Sequence, residues 1–234
     1  DNVVAIAKQL GYRPKSATSP TAYVSFTVTY TNPTTDTELI LKKGTGFIAS
    51  YDNNVYQYVV LDDVKAQVAN NVATFTDVAV KEGTQLTNTF TVNTALKGQR
   101  FILDNQNIDT NTIRVKVYPT GGSFSEPYLV ADNILGVDGT SKVFFLDEIE
   151  DERYEILMGD GVLGAKLENN ARIEVSYLTT AGPESNGVRT FVFSGVLENP
   201  NGVSPSAFTT SITSTTASAG GEEIESTQKI KYTA

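Results

Sequence analysis

The feature that most restricts this chain is a two-residue alternation that begins at Ala22. Val24, Phe26, Val28 and Tyr30 fall on one side of an extended segment, and Tyr23, Ser25, Thr27 and Thr29 fall on the other. A strand points successive side chains to opposite faces, so this pattern gives one apolar face and one largely hydroxyl-bearing face. Further strand-like runs are expected at residues 38–41, 46–50, 55–61, 64–68, 72–80 and 87–92. Turn-forming clusters separate them: Asn32-Pro33, Lys43-Gly44, Asp52-Asn53-Asn54, Asn70-Asn71 and Glu82-Gly83. Short strands spaced in this way predict an antiparallel all-β, sandwich-like domain.

A second series follows Lys97-Gly98, with strands expected at 100–103, 112–118, 128–130, 142–146, 153–157 and 172–178. Residues 181–187 read as a crossing, followed by a strand at 189–193. Residues 209–216 fit either a Ser/Thr-rich linker or a strand built on alternating β-branched residues. At the other end, Val3, Ile6, Ala7 and Leu10 have the spacing of one helical face, with Asp1 or Asn2 as a cap and Gly11 beyond it. A helix this short must bury its stripe. Val3, Ile6 and Leu10 therefore either close a β core or form a candidate interface.

Composition narrows the chemistry. The chain has no His and no Cys, which removes Ser-His-Asp and Cys-His catalytic sets, disulfides and the commonest zinc and iron ligands. A net charge of −9 and a pI near 4.6, with basic residues scattered, lack the clustered footprint that neutralises phosphates. No apolar run approaches the roughly 18 residues of a membrane-crossing helix. Met158 is the only methionine, so the chain reads as a processed product or an excerpt of a longer protein.

Few motifs carry chemistry. The acidic run Asp147, Glu148, Glu150, Asp151 and Glu152 lacks the central glycine of a calcium loop and reads as a solvated loop between strands. Gly159, Asp160, Gly161 and Gly164 lie between the alternating segments at 153–157 and 172–178 and read as a hairpin-like reversal; no Lys-Ser/Thr pair follows to make a phosphate loop. Gly161 is expected in a backbone conformation that a Cβ resists. Gly220-Gly221, followed by Glu222, Glu223 and Glu225, reads as the approach to a helix start whose carboxylates suit the helix dipole. Tyr51, Tyr56 and Tyr58 are candidates for stacking on sugar rings, or are ordinary strand tyrosines.

The stretch YEILMGDGVLGAKLENNARIEVSYLTTAGPESNG, residues 154–187, resembles the Y-x-I-x-x-G-D-G-x-x-G…Y-x-x-T-x-G…N-G pattern of baseplate J-like proteins, wedge proteins of contractile phage tails. SAGGEEIESTQKIKYTA at 218–234 is similar to the family's A-G-G-x-x-x-E-S-x-x-x-I-K-x-x-A element. QRFILDNQNIDTNTIRVKV at 99–117 and IAKQLGYRPKSATSPTA at 6–22 resemble segments of the wedge subunit of T-even-like phages. In this resemblance Asn186, Gly187, Gly220 and Gly221 join the Gly159–Gly164 loop as structural turn motifs.

The resemblance implies a mainly β fold in which residues 98–187 form a β-rich domain inserted into a discontinuous domain of residues 1–97 and 188–234. It implies a structural, non-enzymatic virion protein of the tail baseplate, assembled in the host cytoplasm and working by packing and rearrangement. Its partners would be other baseplate wedge proteins and a second copy of itself. No cofactor, metal, nucleic acid, membrane or small-molecule substrate is implied. The competing readings are a carbohydrate-binding or adhesive β-sandwich and, third, a glycoside hydrolase working through two carboxylates.

Overall fold

A computed structural model of the chain describes residues 15–131 and 133–226. It is mainly β. In chain order the strands are β1 (Thr21–Tyr30), β2 (Glu38–Leu41), β3 (Gly46–Tyr51), β4 (Asn54–Val59), β5 (Val64–Ala69), β6 (Val72–Glu82), β7 (Thr84–Thr91) and β8 (Phe101–Leu103). There follow β9 (Ile108–Tyr118), β10 (Glu126–Val130), β11 (Val143–Glu148), β12 (Tyr154–Met158), β13 (Arg172–Thr179), β14 (Val192–Phe193), β15 (Leu197–Glu198) and β16 (Phe208–Thr215). The helical elements among the described residues are two 3-10 turns, Glu150–Glu152 and Gly182–Ser185. The expected N-terminal helix, with Val3, Ile6 and Leu10, lies outside the described residues.

The chain divides into two units, one of Ser16–Gln85 with Thr180–Ile224 and the other centred on Leu86–Thr179. In the first, the order β14-β3-β4-β6-β5-β2-β15 is joined by β1, which pairs with both β6 and β16. Every pairing in this sheet is antiparallel. The turns are those their sequences favour. Asp52 and Asn53 take φ of 48° and 62° between β3 and β4, and Asn70 and Asn71 take 51° and 63° between β5 and β6. Paired positive φ gives the primed turns that match strand twist, and Asn and Asp tolerate it best among residues with a Cβ.

The alternation in β1 holds from Ala22 to Tyr30, but beside Ser25 the register with both β6 and β16 shifts, because each partner strand carries an extra residue there. Opposite it, Asp77 sits at φ 47° with its amide donating to Ser25 Oγ, and that hydroxyl in turn donates to Asp77 Oδ1. The extra residue of a β-bulge is thereby satisfied by a side chain. The core under this sheet is aromatic. Phe26 stacks on Phe75 at 4.6 Å and meets Phe47 edge-on at 5.3 Å, while Phe191 meets Tyr58 edge-on at 5.0 Å. Such pairs add about 0.5–1.5 kcal/mol to the area they bury.

The second unit holds one sheet ordered β7-β13-β9-β10-β11-β12-β8. Its ends share a single core: Phe90 of β7 and Phe101 of β8 lie 5.5 Å apart, and the Tyr177 hydroxyl on β13 bonds with Asn88 and Asn105. Arg100 grips the buried Glu155 with two parallel bonds of 2.9 and 2.7 Å. One pairing departs from the antiparallel expectation, since β10 runs parallel to β11.

The reversal expected between residues 157 and 172 is not a hairpin. β12 pairs with β11 and β8, whereas β13 pairs with β9, so three strands separate them in the sheet. Residues 159–171 are far longer than a hairpin turn, which frees the two strands to find separate partners.

Candidate functional site

Two of the turn motifs meet in the first unit. The Asn186 side-chain amide donates to Gly221 O at 2.9 Å, and Gly221 N donates back to Asn186 Oδ1 at 2.9 Å. An amide can satisfy a peptide group at both ends in this way because it carries a donor and an acceptor side by side. Gly187 N donates to Ser218 O, and Ser218 N donates to Val188 O, so the two segments are stitched on either side. Gly221 admits nothing larger: an added Cβ would lie 2.4 Å from Gly182 O and 2.5 Å from Pro20 Cγ. Glu222 is extended here, exchanging backbone bonds with Thr18, and no helix starts among the described residues up to Ser226.

Beneath this seam lies a buried polar cluster that sequence reading did not single out. Glu82 is buried, and its Oε2 accepts from Thr180 Oγ1 at 2.6 Å and from Ala181 N at 3.0 Å. Among the described residues no cation pairs with it. Burial pushes its pKa up, against the lowering effect of hydrogen bonds from Thr180, the Ala181 amide and Ser185, while nearby Glu184 adds to the rise. Thr180 Oγ1 also accepts from Gly182 N, which holds Gly182 at φ 63°. Ser185 O accepts from both Tyr58 Oη at 2.8 Å and Ser218 Oγ at 2.6 Å. Ser218 Oγ in turn accepts from Val188 N.

Chemically, the cluster is a set of hydroxyls each spent on a backbone group or on one carboxylate, enclosed in the fold. It fixes the loop 180–188 to β4 and β6. The signal for Glu82 was present in the sequence: inward positions Val78 and Val80 of β6 continue to residue 82 at the same period.

The tyrosine platform is not assembled. Tyr58 is fully buried and Tyr56 nearly so, and only Tyr51 of the three is exposed. Sugar stacking needs several rings on one accessible face, and here two of the rings belong to the core.

The Gly159–Gly164 loop of the second unit is a closed turn. Gly161 N donates to Gly164 O, Gly164 N to Asp138 O, and Asp160 Oδ1 accepts from Val162 N and Leu163 N at 2.8 and 2.9 Å. Those backbone donors hold the Asp160 carboxyl below its usual pKa. Gly161 takes φ 95° and Gly164 φ 85°. Gly159 is extended but crowded, since a Cβ there would come within 2.2 Å of the Gly164 carbonyl carbon.

The acidic run is not one loop. Asp147 and Glu148 end β11, and Glu150–Glu152 form the 3-10 turn, with Asp151 and Glu152 at φ 60° and 58°. Among the described residues no three His, Cys, Asp or Glu converge in a group that could hold a metal ion.

Comparison with known proteins gives this architecture a context. Residues 21–83 match the family described as baseplate wedge protein gp6, domain II. That stretch runs from β1 to just past β6, the strands around the buried Glu82. The chain is also 24% identical over 216 residues to baseplate wedge protein gp6 of Enterobacteria phage T4, covering 85% of this chain and 31% of that protein. It therefore spans about a third of the relative's length. These likenesses support a structural protein of the phage virion, in the baseplate of the tail.

Proposed function

We propose that this chain is part of a wedge subunit of a contractile-tail baseplate, of the baseplate J-like kind, acting by assembly with other wedge proteins and with a second copy of itself. It changes arrangement when the tail fires and catalyses nothing. The observation that carries this reading is the similarity to a wedge protein along most of the chain. The buried cluster around Glu82 agrees with it, because its hydroxyls are committed to holding loops.

The reading includes the domain plan of a discontinuous β domain interrupted by an inserted one. Support comes from the division after Gln85 and after Thr179, which lies earlier on both sides than the 97/98 and 187/188 boundaries that the resemblance implies. The packing of Phe26 against Phe47 and Phe193 supports a sandwich-like first unit.

Co-expression tests the proposal. Expressed with the other wedge proteins of its own phage, the chain should elute with them as a complex that survives dilution. Separate elution of well-folded components would overturn it.

A further inference from the structure

The edge strand β16 is unusual in what it lacks. Among the described residues its sole strand partner is β1, and from Ser204 to Ala219 the sequence carries no charged residue, in a chain of net charge −9. Natural edge strands are commonly blunted by charge or proline because their free N–H and C=O groups template pairing with another chain. Beyond Pro205, which precedes the strand, β16 has neither.

Its register fixes which groups are free. Thr31 N donates to Ala207 O, Tyr30 lies opposite Phe208, and Tyr30 N points the other way, to Asn71 O. Ala207, Thr209 and Ser211 therefore turn their backbone groups toward β1, and Phe208, Thr210 and Ile212 turn theirs outward. On the side-chain level Phe208 and Ile212 pack partly against the core, while Thr209 and Ser211 are exposed.

We infer that β16 pairs antiparallel with β16 of a second copy, across a two-fold axis at Thr210. In this register Phe208 faces Ile212 of the other copy and Thr210 faces itself, so all three outward-facing residues form hydrogen-bonded pairs at once. Shifting the axis to 209 or 211 loses one of them. An isologous contact must be self-complementary, and this strand is: an aromatic residue faces a β-branched one on the core side, and Thr209 faces Ser211 on the outer side, both favourable cross-strand pairs. The uncharged stretch is also where two acidic copies repel least. A single strand pair buries less than a stable interface of roughly 1,200 Å² needs, so the contact is weak in isolation and reinforced by other contacts in an assembly. The inference rests on the reading that copies of this chain assemble together.

The absence of native cysteine makes a register-specific test available. Thr209→Cys and Ser211→Cys variants are prepared separately, then oxidised alone and as a mixture. Residues 209 and 211 of opposing copies form a non-hydrogen-bonded pair with Cα atoms about 4.5 Å apart, within disulfide reach. The mixture should give cross-linked dimer several-fold faster than either variant alone. Adding Thr210→Pro to both should abolish the excess and leave the unfolding midpoint unchanged, because the amide it removes faces away from β1. Equal rates in the mixture and in the single variants, or an excess that survives Thr210→Pro, would overturn the proposal. Failure of this cross-link with the wedge complex still forming would remove the edge contact alone; loss of both would remove the wedge reading.

Discussion

Replacing Glu82 separates what its hydrogen bonds contribute from what its charge costs. In Glu82→Ala, Thr180 Oγ1 and Ala181 N lose their common acceptor in a buried site. An orphaned buried donor costs about 1–3 kcal/mol; the Thr180 hydroxyl can rotate whereas the Ala181 amide cannot, so the variant should lose about 1–3 kcal/mol. Glu82→Gln keeps an oxygen where both donors point and should cost about 1 kcal/mol or less at acidic pH. The dependence on pH has a definite sign. A carboxyl whose folded pKa is raised binds its proton more tightly when folded, so its stabilising contribution is complete below the unfolded value of about 4.3 and is lost as pH rises through the folded pKa. The stability of the parent relative to Glu82→Gln should therefore decline from pH 4 toward neutrality. Urea unfolding of the three proteins at several pH values measures this. Equal midpoints for the alanine and glutamine variants, or a parent-to-glutamine difference that does not change with pH, would refute the account of a buried carboxylate acting mainly through its acceptor.

Asn186→Ala breaks both bonds to Gly221 and should lower stability by about 1–3 kcal/mol, and Asn186→Asp, which keeps only the acceptor, should fall between it and the parent; chemical denaturation reads both. Gly161→Val should cost about 1–3 kcal/mol through backbone strain at φ 95°, since its nearest foreign atom, Lys166 Cβ, is at an ordinary 3.5 Å. Gly159→Ala should cost at least as much for the opposite reason, steric overlap with Gly164 in an ordinary extended conformation, and an unchanged midpoint in either variant would contradict the loop geometry.

What could be read from the sequence was what local rules determine. The strands from β1 to β6 lie within a few residues of their expected positions, because one face is buried and the turn residues, Asp52-Asn53 and Asn70-Asn71 above all, set the reversals. Between linker and strand, the segment near 209–216 is resolved as β16, where β-branched residues outweigh the flexible reading of Ser and Thr. Pairing was less legible. The glycines at 159–164 suggest a reversal, but a reversal does not determine which strands become neighbours, and β12 and β13 take other partners. The parallel pairing of β10 with β11 had no local signature at all, since periodicity is the same in either direction.

The site shows the same division more sharply. Gly220-Gly221 and Asn186-Gly187 were each visible as turn motifs, yet their joining through one amide is a contact between residues 35 positions apart that neither motif announces. Tyr56 and Tyr58 illustrate the reverse error. Tyrosine serves equally as a surface platform and as a core residue with one polar tip, and only the presence of an acceptor inside the fold decides between them. For Tyr58 that acceptor is Ser185 O, supplied by a loop that follows the whole Leu86–Thr179 segment in the chain. Glu82 depends on the same loop: its inward position was fixed by the alternation of β6, but whether an inward carboxylate is tolerable depended on Thr180 and Ala181 arriving as donors. The polar seam can therefore form only after the chain has left the first unit and returned. A substitution at Glu82, Thr180 or Asn186 should consequently act on the first unit's stability while leaving the strands of residues 86–179 paired, a difference that hydrogen exchange resolved by segment can read directly.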